Sequence, residues 1–289
     1  MKITVFGGSG FLGSHVSDKL TDSGYDVTIY DLKKSSWLKE NQKMIIGDIL
    51  DKKKVQNAVI NADFVFNFAG ISDIDDAKTH AIETVQYNVL GNTIILDACV
   101  KEKVRRIVYA STVYVYSETG GFYKCSKQAS ELYIDNYNKQ FKLNYTILRY
   151  GSLYGPRADI KNGIHNFVYQ GLKNKKIIYY GNPNAIRQYI HVADAARLSV
   201  EILKPEYENQ HIILTGSETL KISQLFKMIE EISGQKIKIE YNAGGEHPHY
   251  DLTPYSYSPK VGMKLTSPYY VDLGQGMLKV IESIHQMLE

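Results

Sequence analysis

The sequence predicts an α/β fold, in which a doubly wound parallel sheet carries a smaller carboxyl-terminal lobe. Two observations support this prediction. Short, apolar, β-branched segments alternate with longer helical patterns from residue 2 to residue 150, which is typical of parallel sheets with right-handed crossovers. Beyond residue 155 the alternation weakens and turns become frequent. We therefore expect one layered domain followed by a lobe that packs over the open edge of its sheet.

Composition narrows the class of protein before any motif is considered. The chain has 289 residues, a net charge of +3 with scattered lysines and arginines, and two cysteines. No run of about eighteen apolar residues is present, and the strand predicted from Lys2 leaves no room for a signal peptide. We therefore expect a cytoplasmic protein that binds neither nucleic acid nor membrane. Cys99 and Cys125 lack metal-ligand spacing and are expected to be reduced thiols, with no metal site.

The first strand and helix surround a glycine-rich stretch. Lys2–Phe6 predicts a buried strand, and a helical pattern runs from Phe11 to about Ser23. Between them lies Gly7-Gly8-Ser9-Gly10-Phe11-Leu12-Gly13. Such glycines let the backbone turn tightly and approach a diphosphate, and the helix amino terminus offers N–H groups to the phosphates. A strand, a glycine turn and a helix in this order favour dinucleotide binding over a purely structural turn.

The second predicted strand ends on an acid. Asp26–Tyr30 is followed directly by Asp31. A carboxylate at this position suits hydrogen bonds to both ribose hydroxyls of a dinucleotide, and it would repel a 2′-phosphate. The sequence therefore predicts a Rossmann-type domain that binds NAD rather than NADP, although Lys33 and Lys34 lie close by.

The third and fourth strands are expected to complete the cofactor edge. Lys43–Ile46 precedes Asp48 and Ile49, and Asp48 suits the adenine amino group. Alternatively, Asp51 or Asp48 caps the next helix, and both interpretations can hold together. Asp63–Phe68 precedes Ala69-Gly70, where small residues let the chain pass close under a cofactor. Ligands of such sheets bind beyond the carboxyl ends of the strands, where the strand order reverses. Here the reversal is predicted between the first and fourth strands.

The next segments bring a hydroxyl, a tyrosine and a lysine to the same edge. The strand Arg106–Ala110 ends at Ser111-Thr112, and a helix that reaches about Phe141 opens with Tyr123 and Lys127. These two residues are four apart and project from one face of that helix. The other predicted elements of the domain are a helix at Ala81–Lys101, whose Asn88 would ordinarily face solvent, and a sixth strand at Tyr145–Tyr150.

Thr112, Tyr123 and Lys127 suit acid–base chemistry at a hydroxyl. When a nicotinamide accepts a hydride from a carbinol, the protein must accept the proton. Tyrosine, with an ordinary pKa near 10, is a weak base, but Lys127 and a positive nicotinamide ring both favour the phenolate. We expect Tyr123 to be the general base and Thr112 to hold the substrate oxygen. The alternative is a tyrosine that packs on a lysine stem.

The carboxyl-terminal part is predicted in outline only. We assign residues 1–155, with 176–204 returning, to the NAD-binding domain, and residues 156–175 and 205–289 to a substrate-binding lobe. The predicted elements beyond residue 155 are helices at Asn166–Leu172, from Ala193 and at Ile222–Ile232, and strands at Lys176–Tyr180, Arg187–Val192 and Ile212–Leu214.

These motifs together resemble the extended short-chain dehydrogenase/reductase family, in its group of NAD-dependent sugar-nucleotide epimerases and dehydratases. The likeness covers nearly the whole chain, and it includes Leu148-Arg149-Tyr150, Tyr154-Gly155-Pro156-Arg157 and Arg187-Gln188-Tyr189-Ile190-His191-Val192. It implies Thr112, Tyr123 and Lys127 as catalytic residues and a helix asparagine, Asn88, that helps to hold the active site. The cofactor residues that it implies are Gly7, Gly10, Phe11, Leu12, Gly13, Asp31, Asp48, Ile49, Phe68, Ala69, Gly70, Asn88, Ser111, Tyr123, Lys127 and Tyr150.

The chain also departs from the pattern of that family. Thr112 and Tyr123 are only eleven residues apart, which is closer than in typical members. The 4,6-dehydratases place an Asp-Glu pair where this chain has Val113 and Tyr114. The usual arginine is missing from Gly244–Tyr250, a segment that offers only His247 and His249 in its place.

The resemblance implies an enzyme that oxidises C4 of a nucleotide-linked sugar with NAD, most simply a 4-epimerase. A dehydrogenase that releases the ketone and a ketosugar reductase remain open, as does an inactive NAD-sensing protein. The substrate residues are expected to be Thr112, Tyr114, Asn166 and Arg187, although a surface ion pair is an equal interpretation of Arg187. Family members commonly pair through the helices that correspond to Ala81–Lys101 and Tyr123–Phe141, so a homodimer is expected.

Overall fold

A central sheet of seven parallel strands organises the chain, in the order β10-β6-β5-β4-β1-β2-β3. The computed structural model describes residues 1–216 and 219–242. The strands of this sheet are β1 (Lys2–Phe6), β2 (Asp26–Asp31), β3 (Lys43–Ile46), β4 (Phe64–Asn67), β5 (Arg106–Thr112), β6 (Asn144–Tyr150) and β10 (Gln210–Leu214). The strand order reverses between β1 and β4, as predicted, so the ligand edge lies at their carboxyl ends.

Helices cover both faces of the sheet. They are α1 (Phe11–Asp22), α2 (Lys52–Val59), α3 (Ile74–Thr79), α4 (Ala81–Thr84), α5 (Gly91–Lys101), α6 (Gly121–Phe141) and α8 (Val192–Glu201). Successive strand side chains alternate between the faces, so that Val5 packs in one core with α1 and α8 while Phe6 packs in the other with α2 and α5. The doubly wound α/β fold expected from the alternating pattern is confirmed.

The remaining elements form two small sheets beside the large one. One contains β7 (Ser152–Tyr154), β9 (Ile186–His191) and β11 (Thr219–Lys221), and the other contains β8 (Lys176–Tyr180) and β12 (Lys238–Asn242). The helices α7 (Gly163–Asn174) and α9 (Ile222–Ser233) pack on these sheets around Ile177 and Phe226.

Two strands lie on the other side of the domain boundary drawn from the sequence. β10, which we assigned to the lobe, extends the large sheet by pairing with β6, whereas β8, which we assigned to the NAD-binding domain, pairs with β12. The sequence of a short apolar strand does not indicate which strand it will pair with. The sheet to which β8 and β10 belong could therefore not be predicted from their positions along the chain. The division of labour between the two parts stays a prediction.

The helix predicted at Ala81–Lys101 is continuous but not regular. A π-helix at Val85–Leu90 separates α4 from α5 and carries Asn88, which is buried rather than exposed to solvent. A π-helix inside an α-helix is frequently found at a functional site. Both cysteines are free. None of the helices within the described ranges combines the length and apolar character that crossing a bilayer requires.

Candidate active site

The glycine loop between β1 and α1 folds tightly on itself. The Gly7 N–H donates to the Tyr30 carbonyl at 2.9 Å, and the Gly10 N–H donates to the Gly7 carbonyl at 3.2 Å. Gly7 has φ +74°, and a Cβ atom added there would lie 2.6 Å from the Ala69 nitrogen, just beyond β4. A Cβ atom on Gly13 would lie 2.1 Å from the Gly7 oxygen. Side chains at these positions would therefore push the loop away from the sheet.

Asp31, at the end of β2, is hydrogen-bonded to the glycine loop. Asp31 accepts hydrogen bonds from the N–H groups of Ser9 at 3.0 Å and Lys33 at 3.3 Å. Gly10 is the N-cap residue of α1, and it has no side chain to cap the first turn of this helix. Phe11 and Leu12 are thus the first helical residues at a terminus that suits phosphate oxygens.

On the adenine side, Asp48 and Ile49 follow β3. Asp48 accepts from the Leu50 N–H at 2.9 Å, and its carbonyl accepts from the Tyr30 hydroxyl at 2.7 Å. The cap of α2 is Asp51, which accepts from the Lys54 N–H at 3.0 Å. The Ile49 side chain is buried in the core, so of these two residues only Asp48 has a polar side chain to offer a ligand.

Asn88 connects the end of β4 to the helix α6. Its amide accepts from the Ile71 N–H at 2.7 Å and donates to the Ile71 carbonyl at 2.9 Å and to the Ser126 hydroxyl at 2.9 Å. Ser126 in turn donates to the carbonyl of Tyr123 at 2.7 Å. Gly70 has φ +138°, and a Cβ atom there would lie 2.4 Å from the Asn88 oxygen. These contacts couple the Phe68-Ala69-Gly70 turn to the first turn of α6.

Thr112 and Tyr123 meet at the carboxyl end of β5. The Thr112 hydroxyl interacts with the Tyr123 hydroxyl closely enough to lower the pKa of the phenol. Burial raises the pKa of Tyr123 to about 12, and the interaction with Thr112 opposes this rise only in part. The phenol is therefore neutral at physiological pH in the structure, so Lys127 alone does not bring it to the phenolate that the sequence led us to expect.

Lys127 lies one turn further along α6 and is buried. Its ammonium donates to the Ala110 carbonyl at 2.8 Å and lies 4.8 Å from the centre of the Tyr109 ring and 5.8 Å from that of Tyr123. Burial lowers the pKa of Lys127 to about 8, and the negative charge of Glu131 opposes this fall. At neutral pH the lysine is thus mostly protonated beside Tyr123.

The short connection between Thr112 and Tyr123 is a compact turn. It begins with a 3₁₀-helix at Val113–Tyr116, in which the Tyr114 N–H donates to the Thr112 hydroxyl at 3.2 Å. The Tyr114 ring meets the Tyr123 ring edge to face at 6.4 Å. Gly120, with φ +100°, packs against the Tyr114 ring and leads into α6. Tyr114 therefore borders Tyr123, and its place beside the sugar stays a prediction.

The side chains of the other predicted ligand residues are buried or hydrogen-bonded within the protein. The Tyr150 hydroxyl shares a hydrogen bond with Ser199 at 2.6 Å in the core under α8, so only its main chain is left to meet a cofactor. Asn166 on α7 accepts from Gln170 at 3.1 Å. Arg187 on β9 is buried, with 7% of its surface exposed, and not at the surface as an ordinary ion pair would be. His247 and His249 lie outside the described residues.

A charged cluster behind Lys127 was missed from the sequence. We define the Glu131 cluster as Ser111, Glu131, Arg149 and His211. Glu131 accepts from the Ser111 hydroxyl at 2.5 Å and from two nitrogens of Arg149 at 2.6 and 3.1 Å. Ser111, expected at the cofactor, thus turns its hydroxyl to α6. The signal was an acid four residues after Lys127, which helical spacing places on the same face.

A dinucleotide fits this edge of the sheet. The glycines leave a cradle that side chains would fill, the amino terminus of α1 follows it, and Asp31 presents a carboxylate beside it. Thr112, Tyr123 and Lys127 lie at the end of β5, next to β4 in the same sheet. Tyrosine and threonine hydroxyls beside a protonated lysine can hold a substrate oxygen and move its proton.

Comparison with known proteins agrees with this geometry. The model of the NAD dependent epimerase/dehydratase family matches residues 3–214. A UDP-N-acetyl-alpha-D-glucosaminuronate decarboxylase of Bacillus cytotoxicus is 31% identical over 81% of this chain and 81% of its own. A putative UDP-glucose 4-epimerase of Methanocaldococcus jannaschii is 29% identical over 96% of this chain and 97% of its own.

Solved structures show the same fold. The UDP-glucose 4-epimerase of Thermotoga maritima, determined with UDP-glucose, superposes with a TM-score of 0.83 over 100% of both chains at 24% identity. The UDP-glucuronic acid 4-epimerase of Bacillus cereus, determined with UDP-glucuronic acid and NAD, gives a TM-score of 0.81 at 25% identity, over 91% of this chain and 95% of its own. The chain therefore belongs to the NAD dependent epimerase/dehydratase family, in the extended short-chain dehydrogenase/reductase group, and is an enzyme whose cofactor is NAD.

Proposed function

We propose that this enzyme is a sugar-nucleotide 4-epimerase, which reversibly oxidises C4 of a nucleotide-linked hexose or heptose. The observation that carries the proposal is the position of the buried Lys127, whose ammonium lies 5.8 Å from the centre of the Tyr123 ring and donates to Ala110, two residues before Thr112 at the end of β5. The likeness of this chain to the putative UDP-glucose 4-epimerase of M. jannaschii and to the UDP-glucuronic acid 4-epimerase of B. cereus supports it.

The residues divide the work of the reaction between binding and proton transfer. Gly7, Gly10, Gly13 and Asp31 would hold the cofactor, which when bound supplies the acceptor and donor of the C4 hydride. Thr112 positions the C4 oxygen, and Tyr123 takes the proton of that hydroxyl and later returns it. Tyr123 must first lose its own proton, and positive charge from Lys127 and from a bound nicotinamide favours that loss.

Removal of water is disfavoured at this site. The 3₁₀-helix after Thr112 presents Val113 and Tyr114 where the dehydratases place an acid and a base. Valine has no ionisable group, and a tyrosine phenol is a weak acid at neutral pH. Once C4 is oxidised, the chain therefore offers no paired carboxyl groups here for chemistry at C5 and C6.

The nucleotide part of the substrate is assigned to the lobe. Arg187 on β9 is our candidate for the diphosphate, because a guanidinium makes bidentate contacts with phosphate oxygens. Asn166 on α7 is the candidate for the nucleotide portion, and Tyr114 borders the sugar through its contact with Tyr123.

A panel of UDP-, GDP-, CDP- and dTDP-sugars, incubated with the enzyme and a catalytic amount of NAD, tests the proposal. We expect a C4 epimer in the ¹H NMR spectrum of at least one mixture and none with Tyr123→Phe. A 4-keto sugar formed with one equivalent of NADH would instead identify a dehydrogenase. A 6-deoxy product would contradict the proposal.

A further inference from the structure

The Glu131 cluster lies directly behind the catalytic residues and has no part in the proton transfer described above. Glu131 is buried, with 7% of its surface exposed, and both of its oxygens accept hydrogen bonds. Its partners come from three strands of the large sheet: Ser111 from β5, Arg149 from β6 and His211 from β10, whose Nδ1 lies 3.7 Å from the carboxylate. A buried acid that joins three strands to one helix restrains the position of that helix.

The position of Glu131 along α6 links it to catalysis. Tyr123, Lys127 and Glu131 follow one another at intervals of four, so they share one face of the helix. Ser111 stands between Ala110, whose carbonyl accepts the Lys127 ammonium, and Thr112, whose hydroxyl meets Tyr123. The bond from Ser111 to Glu131 therefore fixes the short stretch of β5 that contacts both catalytic side chains of α6.

The carboxylate of Glu131 supplies the negative charge between two positively charged side chains, Lys127 and Arg149. Lys127 is faced by Tyr109 from β5 and by Tyr123 and Glu131 from its own helix. Beyond the carboxylate lie the Arg149 guanidinium and the His211 ring, whose Nδ1 is 2.8 Å from an Arg149 nitrogen, and His211 also contacts Asp135 at 3.3 Å.

Both ionised groups are maintained inside the fold. Burial alone would raise the pKa of Glu131, but the neighbouring His211 ring and hydrogen bonds from Arg149 and Ser111 outweigh it and lower the pKa to about 2. Burial lowers the pKa of Lys127, and Glu131 is the charged group that opposes this fall. Without the carboxylate, Lys127 and Arg149 would be two cations in one poorly hydrated region, which favours loss of the lysine proton.

We propose that Glu131 is a positioning residue, which fixes the end of β5 against α6 through Ser111 and keeps the Lys127 side chain protonated inside the fold. The catalytic consequence rests on the proposed roles of Tyr123 and Lys127. The effect on the protonation of Lys127 does not, because it rests only on Lys127 and Glu131 being buried one helical turn apart on the same face of α6.

Titration of Lys127 by NMR tests the proposal without substrate. Protein labelled with ¹³C at lysine Cε is titrated between pH 6 and pH 11, and Lys127→Arg identifies the signal of Lys127. We expect a midpoint near 8 in the unaltered protein and a midpoint roughly one pH unit or more lower in Glu131→Gln. Asp135→Asn, which removes a carboxylate one turn further along α6, is the matched control and should leave the midpoint unchanged.

Two further variants separate charge from position. Ser111→Ala retains the charge of Glu131, so we expect the Lys127 midpoint of the unaltered protein. In activity assays, Glu131→Gln should lower kcat about tenfold at pH 8 and move the alkaline limb of the pH profile to lower pH, with KM changed less than about twofold. On a Lys127→Arg background, the same substitution should leave that limb in place, because arginine does not titrate in this range.

An unchanged Lys127 midpoint in folded Glu131→Gln would overturn the proposal, whatever reaction the enzyme catalyses. If Glu131→Gln does not fold, the unaltered protein decides the matter. Its Lys127 must titrate at pH 7 or above, and the Glu131 carboxyl carbon must titrate below its ordinary value of 4.5. Failure of either would contradict the proposal. Failure of C4 chemistry with the expected titrations would instead count against the proposed function alone.

Discussion

At the scale of single residues, Tyr123 has the clearest chemical assignment. Its hydroxyl interacts with that of Thr112, and the Lys127 ammonium lies 5.8 Å from the centre of its ring. Tyr123→Phe removes the oxygen and keeps the ring, so we expect turnover to fall by at least about a hundredfold while NAD still binds. Steady-state kinetics with a cofactor titration measures both quantities. Near-normal turnover would show that another group moves the proton.

Asp31 is the residue that we expect to select NAD over NADP. Its carboxylate accepts from the N–H groups of Ser9 and Lys33 and would lie close to a 2′-phosphate. We expect NADH to bind more tightly than NADPH in fluorescence titrations. In Asp31→Ser we expect a smaller difference between the affinities for NADH and NADPH. Tighter binding of NADPH by the unaltered protein would show that Lys33 and Lys34 outweigh the acid.

Candidate catalytic residues could be proposed from the sequence, whereas the Glu131 cluster could not. Thr112 lies at the end of a strand, and Tyr123 and Lys127 lie near the start of a helix, and both positions can be recognised in the sequence. Glu131 resembles any acid in an amphipathic helix until β6 and β10 bring Arg149 and His211 to it. Pairing of strands that are distant in sequence creates that site, and local patterns do not encode it.

At the scale of elements, the turn from β1 to α1 is the most constrained. A Cβ atom at position 13 would lie 2.1 Å from the Gly7 oxygen, which belongs to the backbone and cannot turn away. We therefore expect Gly13→Ala to weaken NAD binding at least about tenfold by displacing the loop. Isothermal titration calorimetry measures this effect.

Gly163 offers the matched control for that substitution. It also lies in the first turn of a helix, and a Cβ atom there would meet only Phe167, at an ordinary distance of 3.8 Å. Gly163→Ala should bind NAD as the unaltered protein does. Equal affinity of Gly13→Ala and the unaltered protein would show that the glycine loop does not shape the cofactor site.

Elements with strong local signals were predicted well, and those set by packing were not. β1, β2 and β6 follow apolar β-branched runs, and α9 follows a clear helical period. The π-helix at Val85–Leu90 has no such signal. Asn88 is buried there by contacts with Ile71 and Ser126, which belong to other segments of the chain.

At the scale of the whole molecule, we propose a homodimer that forms through α6 and the helix at 81–101. Leu132, Tyr133 and Phe141 on α6 are exposed, and so is Ile82 on α4. Exposed apolar residues on adjacent helices are suited to pairing with a second copy by a two-fold axis. We expect sedimentation velocity to show a dimer at micromolar concentration and Leu132→Asp to shift it to monomer.

Ile232 on α9 serves as the control for the dimer. It is 81% exposed, more than Leu132, but lies on a helix of the lobe. Ile232→Asp should leave the dimer intact. A monomer for the unaltered protein would contradict this arrangement.

The large sheet also places the residues of the candidate site at one of its edges. Its strand order brings the ends of β1, β4 and β5 together, so the glycine loop and Thr112 lie at the same edge of the sheet. The alternation of strands and helices was sufficient to predict a parallel sheet up to β6 and the reversal of strand order between β1 and β4. The lobe depends on pairing between short strands, and its part in substrate binding remains a proposal.

The fate of deuterium at C4 is the most direct measurement of the central claim. A nucleotide sugar that the enzyme accepts is labelled with deuterium at C4 and converted in the presence of catalytic NAD. The proposed epimerisation predicts a product that is inverted at C4 and still carries the deuterium. Product that forms while the C4–deuterium bond of the substrate is never broken would contradict oxidation at C4.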